Sequence, residues 1–237
     1  MDHVTTSTVR LPITSALDTP AAADRRSIPR RTAKEAEESY RKAALFLSKM
    51  VANGTRSLLF CSARRGEGTT TAVLSLAHQL QENYGLRPLV IELTHHKRTL
   101  AKLFALTPTY TLDDALMQTQ APADCIQVTA SGLCVMTGDS RRAADTHQQL
   151  RRVLKEVEGM FDVVLVDAPP VLKQADALIV ASIIRTVILV VESGRTSYDV
   201  LDSVKSELAN EDIRIAGTVL LKCKRFVPRW MHGWSPR

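Results

Sequence analysis

The chain of 237 residues contains no apolar run approaching the roughly 20 residues needed to cross a bilayer. Its longest candidate, Ala175 to Val191, is broken by Arg185. The start is polar, with Asp2, His3 and several threonines, and lacks the pattern of a signal peptide. These absences point to a cytoplasmic protein. Cysteine is scarce too: the four, Cys61, Cys125, Cys134 and Cys223, fall at spacings that match no zinc or redox motif. Buried free thiols are the expectation. His95 and His96 are neighbours on an extended segment, so they point to opposite faces and lack partners of ligand type, which makes a solvent-facing basic loop the expectation there. Two further absences bear on function: no lysine stands in the glycine loop, and no tyrosine stands in the C-terminal tail.

What is present begins with Ser62-Ala63-Arg64-Arg65-Gly66-Glu67-Gly68-Thr69-Thr70-Thr71. Glycines here let successive backbone N–H groups point inward at the opening of a helix, the construction that cradles phosphate. The context fits. Ser57 to Cys61 is an apolar run of strand length, and Val73, Leu76, Ala77 and Leu80 recur at helical spacing after the loop. A second element supports it: Phe161 to Asp167 is an apolar strand ending in an acid and followed by Ala168-Pro169-Pro170. Such a strand end supplies a carboxylate to nucleotide-bound magnesium; the alternative is a buried strand whose Asp caps the next turn.

The order Gly66-Glu67-Gly68, Glu92 after Leu89-Val90-Ile91, Asp167-Ala168-Pro169-Pro170 and Asp176-Ala177 resembles the bacterial tyrosine kinases of capsule and exopolysaccharide systems. Those are cousins of the division-site and partition ATPases. The resemblance runs from about Glu37 to Leu221. It implies an α/β, three-layer P-loop NTPase-like fold with a mostly parallel sheet covered by helices on both faces. It further implies ATP and Mg2+ as cofactors, nucleotide contacts from Arg64, Arg65, Gly66, Glu67, Gly68, Thr69, Thr70 and Thr71, metal contacts from Thr70 and Asp167, and Asp167 and Glu92 as the candidate catalytic acids.

Departures from the family pattern carry as much information. The family loop reads Gly-Glu-Gly-Lys-Ser/Thr-Thr, so Thr69 replaces the lysine while Thr70 keeps the hydroxyl. Its second acidic motif, Asp-x-Asp with arginines after it, corresponds to Glu92 and Thr94 followed by His95-His96-Lys97-Arg98. The adenine-contacting asparagine after the last strand corresponds to about Leu221. A unit charge about 4 Å from a phosphate oxygen is worth on the order of 4 kcal/mol at an effective dielectric near 20, roughly three decades of rate when it acts only in the transition state. Its loss nearly silences phosphoryl transfer, whereas the backbone donors and helix dipole remain for ground-state binding. Arg64 lies five positions before Thr69, where the partition-type relatives carry an extra lysine, so its guanidinium either serves phosphates or, with its neighbour Arg65, is an exposed loop residue or binds acidic surface of a partner.

Charge is uneven along the chain, whose formal net charge is +6. Residues 1–34 are rich in Ser, Thr, Ala and Pro and carry Arg25, Arg26, Arg30, Arg31 and Lys34, which reads as a flexible basic arm. Residues 222–237 form a basic tail with Phe226, Trp230 and Trp234 interleaved. Such ends suit an anionic membrane surface at the inner face of the cell membrane, or a groove on an integral-membrane polysaccharide co-polymerase or export protein. Nucleic acid ranks third, since no recognised binding module accompanies the charge.

Residues 35–221 then form the P-loop NTPase-like domain. Ala33 to Val51 is an amphipathic helix with Ala36, Tyr40, Ala43, Ala44, Leu47, Met50 and Val51 on one face. The family's Glu-x-x-Arg-x-x-Arg assembly pattern matches Glu38 and Arg41, but Ala44 replaces the last arginine, leaving homo-oligomer formation open. Strands are expected at Leu89–Leu93, Leu133–Thr137, Val163–Asp167, Val187–Glu192 and Ile215–Leu221. Helices are expected at Thr99–Phe104, Ala143–Glu158, Asp176–Ile184 and Ser197–Ala209. On such a sheet Gly66, Glu92 and Asp167 meet at the carboxyl ends of the strands; Asp176 either joins them or caps its helix.

Three functions follow as alternatives. One is a degenerate kinase-like P-loop protein, a cytoplasmic regulatory or interaction subunit of polysaccharide synthesis or export. Another is an active kinase or ATPase in which Arg64 or a partner supplies the missing charge. The third is a spatial regulator of the partition or division type.

Overall fold

The computed structural model describes residues 7–12, 30–93, 99–138, 140–173 and 175–223. Thr94 to Arg98 and the tail from Lys224 onward lie outside them, as do most residues of the N-terminal arm. Four expectations therefore fall outside the described residues: the lost carboxylate at Thr94, the adjacent histidines, the Trp-bearing tail and the arginines at 25 and 26.

Among the described residues eight strands form one sheet: β1 (Ser7–Pro12), β2 (Ser57–Ser62), β3 (Pro88–Leu93), β4 (Gln127–Val128), β5 (Cys134–Gly138), β6 (Val163–Asp167), β7 (Thr186–Glu192) and β8 (Arg214–Cys223). Their order is β1-β8-β7-β2-β6-β3-β5-β4. Every pairing is parallel except that of β4 with β5. The strands that read as continuous apolar runs, β2, β3, β6 and β7, sit in the middle, where both faces are covered and no alternation is required.

Helices α1 (Arg30–Ala52) and α2 (Thr69–Tyr84), with the short α3 (Thr99–Leu103), cover one face. There Tyr40, Ala43, Ala44 and Leu47 of α1 pack with Leu76 and Leu80 of α2 over Leu58, Phe60, Val90 and Leu165. The other face carries α4 (Leu112–Leu116), α5 (Ser140–Asp145), α6 (His147–Met160), α7 (Ala175–Ile184) and α8 (Tyr198–Asn210). Their contributions, such as Leu116, Val153, Ala177 and Val204, close over Leu59, Ile91, Val166 and Leu189. This is the three-layer α/β architecture the sequence predicts.

Several local expectations change. The basic arm expected throughout 1–34 gives up two pieces: Ser7–Pro12 adds to the sheet edge beside β8, and α1 starts at Arg30. An edge position tolerates a short strand ending in proline, because its outer side needs no ladder donors. The single helix expected over Ala143–Glu158 is two, α5 and α6. At the break the Thr146 hydroxyl donates back to the Arg142 carbonyl at 2.6 Å, beside the Thr146 N–H on the same carbonyl at 3.0 Å, a back-bond of the kind that bends helices. Helix α4 and the strand β4 lie in the stretch between Phe104 and Leu133, where the sequence pattern assigns no element. Of the cysteines, Cys61 and Cys125 are buried free thiols, while Cys134 is only partly buried. Complete burial pushes the Cys61 thiol up to about 12, so it is inert at neutral pH.

Strand β2 leaves toward α2 and β3 on one side of the sheet, and β6 leaves toward α7 and β7 on the other, so the connections diverge between these two central neighbours. A crevice outside their carboxyl ends is the consequence.

Candidate functional site

The loop between β2 and α2 occupies that crevice. Gly66 and Gly68 have φ of 82° and 94°, left-handed values that side chains resist. Gly68 is the N-cap of α2 and its carbonyl accepts the first helical bond, from the Ala72 N–H, at 2.9 Å. A β-carbon at Gly68 would meet Cδ1 of Leu221 at 2.7 Å. Leu221, near which the resemblance places the adenine-contacting asparagine, is thus buried against the loop. Thr69 opens α2 and is partly exposed, as is Thr71.

Glu67 behaves differently from its neighbours. It is fully buried, and its carboxylate accepts the Arg64 N–H at 2.7 Å and the Thr196 hydroxyl. Its chemistry is therefore spent on the shape of the loop. Ser62 adds a hydrogen bond from its hydroxyl to the Arg64 carbonyl at 2.9 Å. Arg64 and Arg65 hold exposed positions on the loop.

Across the mouth, register brings the polar groups into a row. Asp167 is opposite Phe60 on β2 and opposite Glu92 on β3, and Glu92 is opposite Thr137 on β5. All three polar residues are buried. The Thr70 hydroxyl donates to Asp167 Oδ2 at 2.6 Å, joining the first turn of α2 to the end of β6. Glu92 accepts the Leu100 N–H at 3.1 Å, and the Thr137 hydroxyl has no hydrogen-bond partner among the described residues. Burial pushes the Asp167 carboxyl up to about 7, against the hydrogen bond from Thr70, and the nearby Glu92 charge pushes it the same way.

That donor set suits a hard divalent cation: one buried carboxylate, a hydroxyl beside it and a second carboxylate one strand away. A cation would relieve the desolvation that makes the Asp167 charge costly. Among the described residues no three His, Cys, Asp or Glu side chains cluster as a metal cage, so the fit is to an ion that keeps waters and phosphate oxygens as its other ligands.

Gly66, Glu92 and Asp167 do meet at one mouth, as the sequence predicts. Asp176 lies in the first turn of α7, one residue inside the helix, and so is not its N-cap. Sequence reasoning missed the turn between β7 and α8. There Arg195 donates to the carbonyls of Gly66 and Arg65, both at 3.2 Å, and pairs with Glu192 at 3.0 Å. The signal available was Gly194-Arg195-Thr196 directly after an apolar strand, a turn at the same carboxyl edge. In α1, Glu38 and Arg41 are exposed while Ala44 is fully buried, so the third position of the assembly pattern faces the core. Among the described residues no helix is long and apolar enough to cross a membrane.

No family model matches the chain. Its homologues are bacterial tyrosine kinases. It is 24% identical over 181 residues to tyrosine-protein kinase CpsD of Streptococcus agalactiae, spanning 72% of this chain and 76% of that protein. In structure it is similar to the kinase domain of Escherichia coli tyrosine kinase ETK, with a TM-score of 0.75 and 22% identity, over 93% of this chain and 92% of that one. Cobyrinic acid a,c-diamide synthase from Mycobacterium smegmatis, solved with ADP and magnesium, is more distant. Its TM-score is 0.58 at 21% identity, over 70% of this chain and 72% of that one.

Proposed function

We propose that this chain is a tyrosine-kinase-like P-loop protein that holds ATP with Mg2+ but transfers phosphate weakly or not at all. It serves as a cytoplasmic regulatory or interaction subunit of exopolysaccharide or capsule synthesis or export. The observation that carries the reading is the contrast at the start of α2. Thr70 is hydrogen-bonded to buried Asp167, while Thr69 stands where the kinase pattern has its lysine.

In this reading the loop from Arg64 to Thr71 wraps the phosphates with backbone N–H groups and the first turn of α2. Thr70 and Asp167 hold the metal, and Glu92 raises the negative potential beside them. Bound as its magnesium complex, ATP supplies a transferable phosphoryl group whose charge the metal partly neutralises. Thr69 adds a hydroxyl and no charge, so the terminal phosphate gains little stabilisation as negative charge develops on it. Leu221 offers an apolar side chain where a base-reading amide is expected, which favours loose purine recognition.

Homology to tyrosine kinases supports the general role, and the ADP and magnesium bound by the cobyrinic acid synthase support the cofactors. The partner fitting the basic ends, residues 1–34 and 222–237, is an integral-membrane polysaccharide co-polymerase or export protein at the inner face of the membrane. A second reading, an active kinase or ATPase with a borrowed cation, is favoured by the exposed Arg64 on the loop. Titration with magnesium and a fluorescent ATP analogue, alongside transfer from labelled ATP, separates them. Micromolar binding without transfer supports the first, and transfer abolished by Arg64→Ala supports the second.

A further inference from the structure

The turn between β7 and α8 grips the loop through side chains 129 and 130 positions away in sequence. Arg195 Nη1 donates to the Gly66 carbonyl and Nη2 to the Arg65 carbonyl, each at 3.2 Å. The adjacent Thr196 hydroxyl donates to Glu67, whose other oxygen accepts the Arg64 N–H. Behind them Glu192 pairs with Arg195 at 3.0 Å and with Lys222 at 3.1 Å. Burial raises the Glu192 carboxyl, but the hydrogen bonds and charges of Arg195 and Lys222 outweigh it and hold it below the usual range. Two cations share the Glu192 carboxylate, with the buried Glu67 carboxylate beside them, next to a loop that has no lysine.

A trans peptide unit points its N–H opposite to its carbonyl. With the carbonyls of Arg65 and Gly66 turned to the guanidinium, the N–H groups of Gly66 and Glu67 point away from Arg195. A planar fork suits this task, since it reaches two neighbouring acceptors at once; an ammonium does not. We propose that Arg195 is a positioning residue for nucleotide phosphates: its fork fixes these two peptide units with their N–H groups facing the nest, and its charge replaces part of what Thr69 lacks. This rests on the reading of the loop as a phosphate site. The side chain is 46% exposed, so its replacement leaves the core intact.

The test uses the full chain as wild type, Arg195→Ala and Arg195→Lys, with amide hydrogen exchange of the unliganded protein and titration with a fluorescent ATP analogue plus Mg2+ across salt concentrations. Arg195→Ala is expected to speed exchange in residues 64–70 about tenfold while residues 147–160 stay unchanged. It should also weaken analogue binding about tenfold and flatten its salt dependence. Arg195→Lys should restore the salt dependence but not the exchange protection, a split that a purely structural tie would not produce. Unchanged exchange in Arg195→Ala overturns the positioning role, and unchanged salt dependence overturns the charge role. If wild type binds no nucleotide, the proposed function fails, and the exchange result alone decides whether Arg195 sets the loop.

Discussion

The two halves of the loop's mouth are built on opposite principles. On the side proposed to hold the metal, Thr70, Asp167 and Glu92 are held by secondary structure, and the two acids are buried. On the side proposed to hold phosphate, Arg64, Arg65 and Arg195 sit on loops and turns in contact with solvent. The difference teaches where substitution is cheap. Exchanging Asp167 takes away the acceptor of the Thr70 hydroxyl, and exchanging Glu92 that of the Leu100 N–H, each a loss of about 1–3 kcal/mol. Exchanging Thr69 for lysine or the reverse changes a partly exposed helix start and leaves the core alone. Charge at position 69 is thus removable without loss of the fold, while the half proposed to hold the metal is bound into it.

The sharpest way to break this comparison is Thr69→Lys. If the missing charge is the main defect, transfer from labelled ATP rises by roughly three decades. No gain means that Leu221 and the segment around Thr94 disable the site independently. Next in size, Asp167→Asn should remove the Mg2+-dependent part of ATP-analogue binding, roughly 10- to 100-fold, as measured by titration with and without EDTA. Arg64→Ala at the exposed half should change the same affinity by less than about fivefold, in keeping with the weakness of exposed pairs.

The same carboxylate sets a pH dependence. With its folded value raised to about 7 against an ordinary 3.8, the native protein binds more protons than the unfolded chain between those values. Stability of the unliganded protein is therefore fullest below about pH 4 as far as this group is concerned, and is lost as pH rises through 7. Binding of Mg2+ with ATP needs the carboxylate, so affinity should rise between pH 6 and 8, and Asp167→Asn should flatten both trends. Thermal unfolding and titration at several pH values check this. A smaller, purely structural effect is expected from Gly68→Ala. The left-handed φ costs about 1–2 kcal/mol, and the 2.7 Å approach of Leu221 adds to it, giving a Tm lowered by several degrees.

Much of this fold was legible because it depends on short-range signals. Val163–Asp167 matches its expected bounds, since a continuous apolar run ending in an acid has few other solutions in a parallel sheet. The loop announced itself through glycines next to a helical pattern. What stayed hidden depends on partners distant in sequence. Ser7–Pro12 carries no strong strand pattern and becomes a strand only beside β8. The helix break at Thr146 is a local exception, where the hydroxyl joins the backbone N–H on the Arg142 carbonyl and no spacing pattern announces it. Arg195 meets Gly66 across 129 positions, and no spacing rule connects a turn arginine to loop carbonyls so far away. Burial of Ala44 was foreseeable from the helix face, whereas its consequence for the assembly pattern required the packing of α1 on α2.

Quantitative binding and turnover on one sample test the central claim most directly: a titration with Mg2+ and fluorescent ATP analogue, followed by transfer of labelled phosphate over the same concentrations. Saturable micromolar binding with transfer at background is the predicted result. Rapid phosphate transfer by the isolated wild-type chain, with threonine at position 69, would contradict it.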